Sequence, residues 1–253
     1  MTPSTELKFN HYYARHCQHL KLKGLQPKTI DAYSRAIRRI GEYFQGNLDD
    51  LTQDQLVDYF HDLLARLSWS AVKLDLYGLK FFYTYVLQKP WVNVLIIKPP
   101  RCTRIPDILT VAEAQQLFMS TRHLSYRVFY FTIYSLGLRL GEGLNLKVGD
   151  IDATRMRVHI RNAKGNKDRL VPLPLNTLRV LRQFWALHKN PAWVFPNRSR
   201  GLKGAYLADS PLDRGGVQKT IGLVTAEMGL KKRFLAIRYV IVMPHICWSR
   251  GLI

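Results

Sequence analysis

Two stretches decide how this chain is read: Leu138-Arg139-Leu140-Gly141-Glu142-Gly143-Leu144-Asn145-Leu146 and, further on, Ala163-Lys164-Gly165-Asn166-Lys167-Asp168-Arg169. The first sets one arginine between a glycine stop, Gly137, and a helix start. A guanidinium is always charged and presents a planar fork, which suits a phosphate. Glu142 lies three residues on, one helical turn away, and can hold that guanidinium; the same spacing equally fits a purely structural Arg–Glu pair. The second stretch puts lysines beside a flexible turn, where one can reach into a groove as a point charge or a proton donor. Taken alone, it reads as well as a soluble hairpin tip.

The flanks give these stretches a setting. Met156, Val158 and Ile160 alternate with Arg157, His159 and Arg161, and Leu170-Val171-Pro172-Leu173 follows the turn, so two strands form a hairpin. Helices are expected over 125–134 and 175–187, and over 216–229, with Val194-Phe195-Pro196 as a short strand and 201–214 as a loop. Thr110 with Glu113 has capping-box spacing. The first ninety residues read as a small helical bundle. Helices are expected over 11–22, 29–44 and 70–87, with a capping-box start at Thr52 and Gln55. In the second of these, Ile30, Tyr33, Ile37, Ile40 and Phe44 mark one apolar face. The pair Asp49-Asp50 reads as helix-start charge, and His16 with His19 as solvated or packed rather than metal-binding. Residues 93–108 hold Pro99, Pro100 and Pro106 with Lys98, Arg101 and Arg104, an extended basic linker.

The 253 residues carry 38 Lys and Arg against 18 Asp and Glu, a net charge of +20, and 47% are hydrophobic. That is enough apolar material for a core, so a disordered polycation is excluded, and the surplus charge calls for a polyanion. Cys17, Cys102 and Cys247 form no CxxC pair, and no stretch is apolar enough to span a membrane. The start lacks the order of a signal peptide, so a cytoplasmic protein is expected. There is no Walker loop, GxGxxG, HExxH or GxSxG motif. An RNA-binding reading lacks an aromatic platform, and a membrane-surface reading lacks a long amphipathic basic face.

Together, the two stretches resemble the tyrosine recombinase (phage-type integrase) family. Residues 138–146 look like its first arginine box, Val148-Gly149-Asp150-Ile151 like the continuation of that box, and 163–173 like its catalytic-lysine hairpin. Gly24-Leu25 with Thr29 and Tyr33, then Leu51-Thr52, resembles its SAM-like core-binding domain, and Ile105-Pro106 with Leu109-Thr110 and Glu113 its interdomain junction. The resemblance covers roughly residues 10 to 233. It implies a mostly α fold with a small β component: a helical core-binding domain over 1–92, the linker 93–108 and a mixed α/β catalytic domain over 109–233, incomplete at its C-terminus. It further implies a clamp on double-stranded DNA, homo- or hetero-tetramers on paired sites, and cleavage through a 3′-phosphotyrosine that needs neither metal nor other cofactor. By position, Arg139 would stabilise charge on the phosphoryl oxygens and Lys164 would protonate the leaving 5′-hydroxyl. Lys28, Arg35, Lys98, Arg101, Arg104, Lys167 and Arg169 would bind DNA.

The pattern breaks near the end. The family's second box, His-x-x-Arg followed by the tyrosine nucleophile, is missing: none of the eight histidines has an arginine three residues on, and the last tyrosine, Tyr239, is too early. Residues 234–253 carry fourteen hydrophobic residues and, as charges, Arg238 and Arg250, with neither helical nor alternating period. Read from the third base of each codon, starting in Arg233, one permitted translation is ISCHSLRHSYATHLLESGVD, which contains HSLRH at the place of the missing box. The tail is therefore expected to be out of frame and the chain unable to cleave DNA. The alternative is a DNA-binding protein without catalytic activity.

Overall fold

A computed structural model describes residues 3–91, 94, 109–163 and 167–230. In the first hundred positions the apolar spacing is realised as four helices: α1 (Pro3–Leu22), α2 (Pro27–Tyr43), α3 (Gln53–Arg66) and α4 (Trp69–Phe82). α1 starts well before the apolar stripe at His11, and α2 starts at Pro27 rather than Thr29. At both starts proline occupies a position where a missing N–H costs the helix nothing. The capping box at α3 forms as its spacing predicts: the Gln55 amide donates to Thr52 Oγ1 at 3.2 Å and the Thr52 amide to Gln55 Oε1 at 2.9 Å. The helix expected to run to Leu87 instead widens after Phe82 into a single π turn, Tyr83–Leu87, closed by Gln88 at φ 54°. There the Tyr83 ring is buried and its hydroxyl donates to the Leu48 carbonyl at 3.2 Å.

The core of this bundle gathers Ile37 and Ile40 from α2, Leu56 and Phe60 from α3, and Val72, Leu79 and Phe82 from α4. Burying one such side chain is worth about 1.5–3 kcal/mol. His16 is fully buried within the bundle, edge-on to Phe81 and Phe82. Burial holds its imidazole down at about 4. Asp49 and Asp50 do more than supply charge before α3. Asp49 accepts from Lys8 and from the Tyr12 hydroxyl, and Lys89 Nζ bonds Asp50 at 2.6 Å, so the pair ties the start and end of the bundle to the α3 approach.

The chain divides into two compact units, Met1–Cys102 and Thr103–Ile253. In the second, α5 (Val111–Ser120) opens on the Thr110–Glu113 capping box, and α6 (Leu124–Leu136) follows. α6 is apolar nearly all round, as expected of a helix enclosed by its neighbours, with Val128, Phe129, Tyr130, Ile133 and Tyr134 all buried. A short helix α7 (Leu140–Leu144) and a 3-10 turn (Val148–Asp150) lead into a three-stranded antiparallel sheet, β1 (Ile151–Asp152), β2 (Arg157–Ala163) and β3 (Lys167–Pro172), in the order β1-β2-β3. Val158 pairs with Val171 and Ile160 with Arg169, and the register then shifts between Ile160 and Ala163. Val158 and Ile160 are buried, so the alternation read from the sequence holds.

Then come α8 (Leu175–His188), a 3-10 turn (Lys203–Leu207) inside the expected loop, and α9 (Arg214–Glu227). Val194–Pro196 forms no sheet strand. Its neighbourhood makes isolated bridges, Lys147 to Trp193 and Pro196 to Pro211, and in the second both partners are prolines that lack the N–H a ladder needs. The loop is held instead by the buried Asn190. Its side-chain amide donates to the carbonyls of Ala205, Tyr206 and Ala208, and its oxygen accepts from the amides of Ala192 and Trp193. Among the described residues no helix is long and apolar enough to cross a membrane.

Candidate nucleic-acid interface

Local sequence fixes Arg139. Gly137 ends α6 at φ 60°, a conformation that disfavours side chains with a Cβ, and the Leu138 amide closes back on the Ile133 carbonyl at 2.9 Å. Leu138, Leu140, Leu144 and Leu146 are all buried, which anchors the segment on both sides of Arg139. At Gly143 a Cβ would sit 2.5 Å from Ile133, so α7 lies flush on α6. Arg139 therefore projects from a fixed backbone at the N-cap of α7.

Glu142, with its side chain 7% exposed, is the centre of the arrangement. Its Oε1 accepts from Arg139 Nη1 at 2.7 Å, and its Oε2 accepts from the Arg139 amide at 2.8 Å. The same Oε2 accepts from Arg169 Nη2 at 2.8 Å, and that nitrogen also reaches the Gly137 carbonyl at 3.4 Å. Arg169 is delivered by strand parity. It is cross-strand partner to the buried Ile160, and directly paired residues share a face of the sheet, so Arg169 points the same way as the core residues. Burial alone would raise the Glu142 carboxyl; the Arg139 amide and the two guanidinium ions outweigh it and hold the group below the ordinary glutamate value. The Arg139 and Arg169 side chains remain 43% and 38% exposed. Two permanent cations on one carboxylate leave a surplus positive charge facing solvent. From the first turn of α9, Arg214 adds another, its Nη2 lying 3.2 Å from where a Cβ would stand on Gly141.

The residues singled out from the sequence fall as follows. Arg139 and Arg169 meet at Glu142. Lys167 is exposed at the start of β3. Lys28 is exposed on the first turn of α2, and Arg35, also exposed, pairs with Asp31 at 2.9 Å in the other unit. Lys164, Lys98, Arg101 and Arg104 lie outside the described residues, as does the tail from 231. The Arg139–Glu142 contact was legible from spacing. The Arg169 contact was not, since 27 residues separate it from Glu142; its signal lies in the alternation of β3, which sets Arg169 and Val171 on one face. Among the described residues no group of three or more His, Cys, Asp or Glu is placed to hold a metal.

The family model described as "Phage integrase family" matches residues 104–238, and that described as "Phage integrase, N-terminal SAM-like domain" matches residues 12–93. The chain belongs to the phage integrase family. It is 33% identical over 149 residues to an integrase/recombinase of Escherichia coli, covering 57% of this chain and 42% of that one. It is 27% identical over 185 residues to a tyrosine recombinase of Thermosipho africanus, covering 67% and 64%. The chain spans 42% to 64% of the length of eight curated relatives it matches. Among solved structures, a lambda integrase tetramer bound to a Holliday junction superposes with a TM-score of 0.65 at 15% identity, over 91% of this chain and 71% of that one. The XerH recombinase bound to its difH substrate superposes with a TM-score of 0.60 at 20% identity, over 80% and 64%. At those identities the likeness is one of fold, the integrase fold, with its small sheet and helical surround.

Proposed function

We propose that this integrase-family chain holds duplex DNA for site-specific strand exchange, and that the 253-residue chain by itself does not cleave it. The observation that carries the first part is the Glu142 clamp, which presents Arg139 from a rigid backbone with a net positive charge. A guanidinium held this way is organised before the phosphate arrives, so it stabilises developing negative charge on the phosphoryl oxygens without reorganising. Lys164, between β2 and β3 in the sequence, is the general acid for the leaving 5′-hydroxyl. Lys167 and Arg169 add DNA-backbone contacts beside it, Arg169 while also holding Glu142.

The organisation that goes with this reading is a core-binding domain over 1–92 carrying Lys28 and Arg35, a linker over 93–108 carrying Lys98, Arg101 and Arg104, a catalytic part over 109–233, and an out-of-frame tail over 234–253. Double-stranded DNA is the partner, with assembly as a homo- or hetero-tetramer on paired sites, in the cytoplasm. No metal and no cofactor takes part. The second part of the proposal is supported by the absence from the sequence of any His-x-x-Arg, and by the HSLRH that the alternative frame restores.

A nicked suicide substrate, which traps a covalent protein–DNA adduct, tests cleavage directly. The chain is expected to bind it with steeply salt-dependent affinity and to form no adduct; an adduct would show that the nucleophile is present. Nucleotide sequence from the Arg233 codon onward tests the cause. An open frame running through HSLRH to a downstream tyrosine is expected. A closed frame would leave a DNA-binding relative that has lost cleavage.

A further inference from the structure

We infer that Arg214 is a further phosphate-binding residue of this site, adding its guanidinium to that of Arg139 on the same DNA backbone. The inference rests on the reading of the Arg139 site as a DNA-phosphate site and extends it to a residue 75 positions away that no sequence motif marks.

The placement of Arg214 is built in. Asp213 caps α9 by accepting from the Gly216 amide at 2.5 Å. The Tyr130 hydroxyl donates to the Val217 carbonyl at 2.7 Å, tying the first turn of α9 to α6. Gly216 lies against Tyr126, where a Cβ would stand 2.7 Å from the tyrosine hydroxyl oxygen. Three contacts from one cap and two tyrosines thus fix the backbone from which Arg214 emerges, and its guanidinium ends over Gly141, inside the α7 turn that also carries Arg139 and Glu142.

Charge then says what the group is for. Three exposed arginines of this unit pair with carboxylates, Arg122 with Glu227 at 3.9 Å, Arg155 with Asp152 at 3.3 Å and Arg161 with Asp150 at 2.5 Å, while Arg157, Arg179, Arg182 and Arg200 are exposed with no ion pair among the described residues; what distinguishes Arg214 from these is its place against the α7 turn. Arg214 forms no ion pair among the described residues, and its sequence neighbour Asp213 is committed to the cap. Two guanidinium ions, those of Arg139 and Arg169, share the carboxylate of Glu142, and Arg214 brings a third positive charge to the α7 turn without a carboxylate of its own among the described residues. Positive charge gathered on one short turn with a single buried carboxylate favours an anion there, and a DNA phosphate is the anion that the proposed partner brings. Glycine at 141 keeps that space open.

The test is titration of a labelled mixed-sequence duplex with the full chain over a range of salt. The unmodified protein is compared with Arg139→Ala, Arg214→Ala, Arg214→Lys and, as a control outside the site, Arg122→Ala. One lost phosphate contact lowers the slope of log affinity against log salt by about 0.9, roughly five- to tenfold in affinity at about 0.1 M salt. Arg214→Ala is expected to show that loss with an unchanged circular dichroism spectrum. Arg214→Lys should restore the slope while falling short in affinity, because an ammonium lacks the fork. Arg122→Ala should change neither. Arg214→Ala with the parent's slope and affinity overturns the inference, and so does an equal loss in Arg122→Ala, which would reduce the effect to net charge. Should Arg214→Ala not fold, Arg214→Lys decides alone: a slope below the parent's overturns the inference. If Arg139→Ala leaves binding unchanged while Arg214→Ala weakens it, the reading of the Arg139 site falls instead. Binding that ignores salt in the parent chain removes both.

Discussion

Each unit of this protein buries a carboxylate against arginine, and the two sites are built for different ends. In the bundle, Asp75 of α4 faces Arg39 of α2, and the Asp75 side chain is 5% exposed. Burial wins there: it pushes the Asp75 carboxyl above the ordinary aspartate value although Arg39 pulls it down. In the second unit Glu142 is almost as buried, yet it is held by two guanidinium ions and a backbone amide, and its carboxyl falls below the ordinary value. One donor group per carboxylate makes a neutral, self-contained pair that seals two helices together. Two guanidinium ions per carboxylate make a site with charge left over. The purely structural reading of an Arg–Glu pair describes Asp75 well; Glu142 does not fit it.

The largest expected effect is on the bundle in acid, and His16 sets its size; the second unit's buried His188 is lowered in the same direction. The folded bundle keeps His16 neutral to about 4, against 6.5 for the free side chain. The unfolded chain therefore takes up a proton first, and stability is lost as pH falls from 6.5 toward 4, by about 3 kcal/mol in all. Urea unfolding followed by circular dichroism at neutral pH and near pH 4.5 should show this loss, and His16→Leu should remove most of it. An unchanged pH dependence in that variant would mean that His16 is not what makes the bundle acid-sensitive.

Next in size is Glu142→Gln, expected to cost about 2 kcal/mol, less than a fully buried pair because both arginines keep access to water. The Glu142 carboxyl is lowered on folding, so its contribution is present above the unfolded glutamate value and disappears as pH falls through the lower folded one. The deficit of the variant should therefore shrink in strong acid. A variant as stable as the parent at pH 7 would erase the contrast with Asp75.

Asp75→Asn should cost only about 1 kcal/mol, since the folded state already disfavours that charge and Arg39 can turn to solvent. The sign is opposite to that of Glu142: the Asp75 carboxyl is raised, so the cost of keeping it ionised is relieved as pH falls. Measured in a His16→Leu background, where the histidine no longer masks it, Asp75→Asn should flatten this rise in stability toward acid. A loss larger than that of Glu142→Gln would reverse the comparison.

The smallest effect belongs to Gly141→Ala. The new methyl group meets only the tip of Arg214 at 3.2 Å, so thermal stability should change little. DNA affinity should drop by roughly two- to fivefold as the guanidinium is displaced, less than one whole phosphate contact. Filter binding at low salt would measure it, and unchanged affinity would show that the space over Gly141 is idle.

What the sequence made legible was what sits within one helical turn. Thr52 with Gln55, Thr110 with Glu113 and Arg139 with Glu142 are each three residues apart, and each pair forms the contact its spacing predicts. The strand alternation at Val158 and Ile160 was equally plain, because one buried face imposes a period of two. Contacts set by packing were not legible. Arg169 and Arg214 reach the α7 turn from distant strand and helix positions, and Asn190 gathers a loop whose surface residues give no sign of a centre. Asp49 looked like local helix charge because its partners, Lys8 and Tyr12, come from another helix. Val194–Pro196 has the composition of a strand but makes only isolated bridges, with proline on both sides of the Pro196–Pro211 bridge.

The register shift between Ile160 and Ala163 has a further consequence, for how this hairpin can change over generations. Without it, adding or losing one residue beyond Ile160 would exchange the inward and outward sides of everything that follows. The shift already absorbs an irregular residue between the paired core positions and the tip. Changes of length in the sequence between β2 and β3 are thereby insulated from Val158, Ile160 and Arg169, so the strands can stay in step while that connection varies.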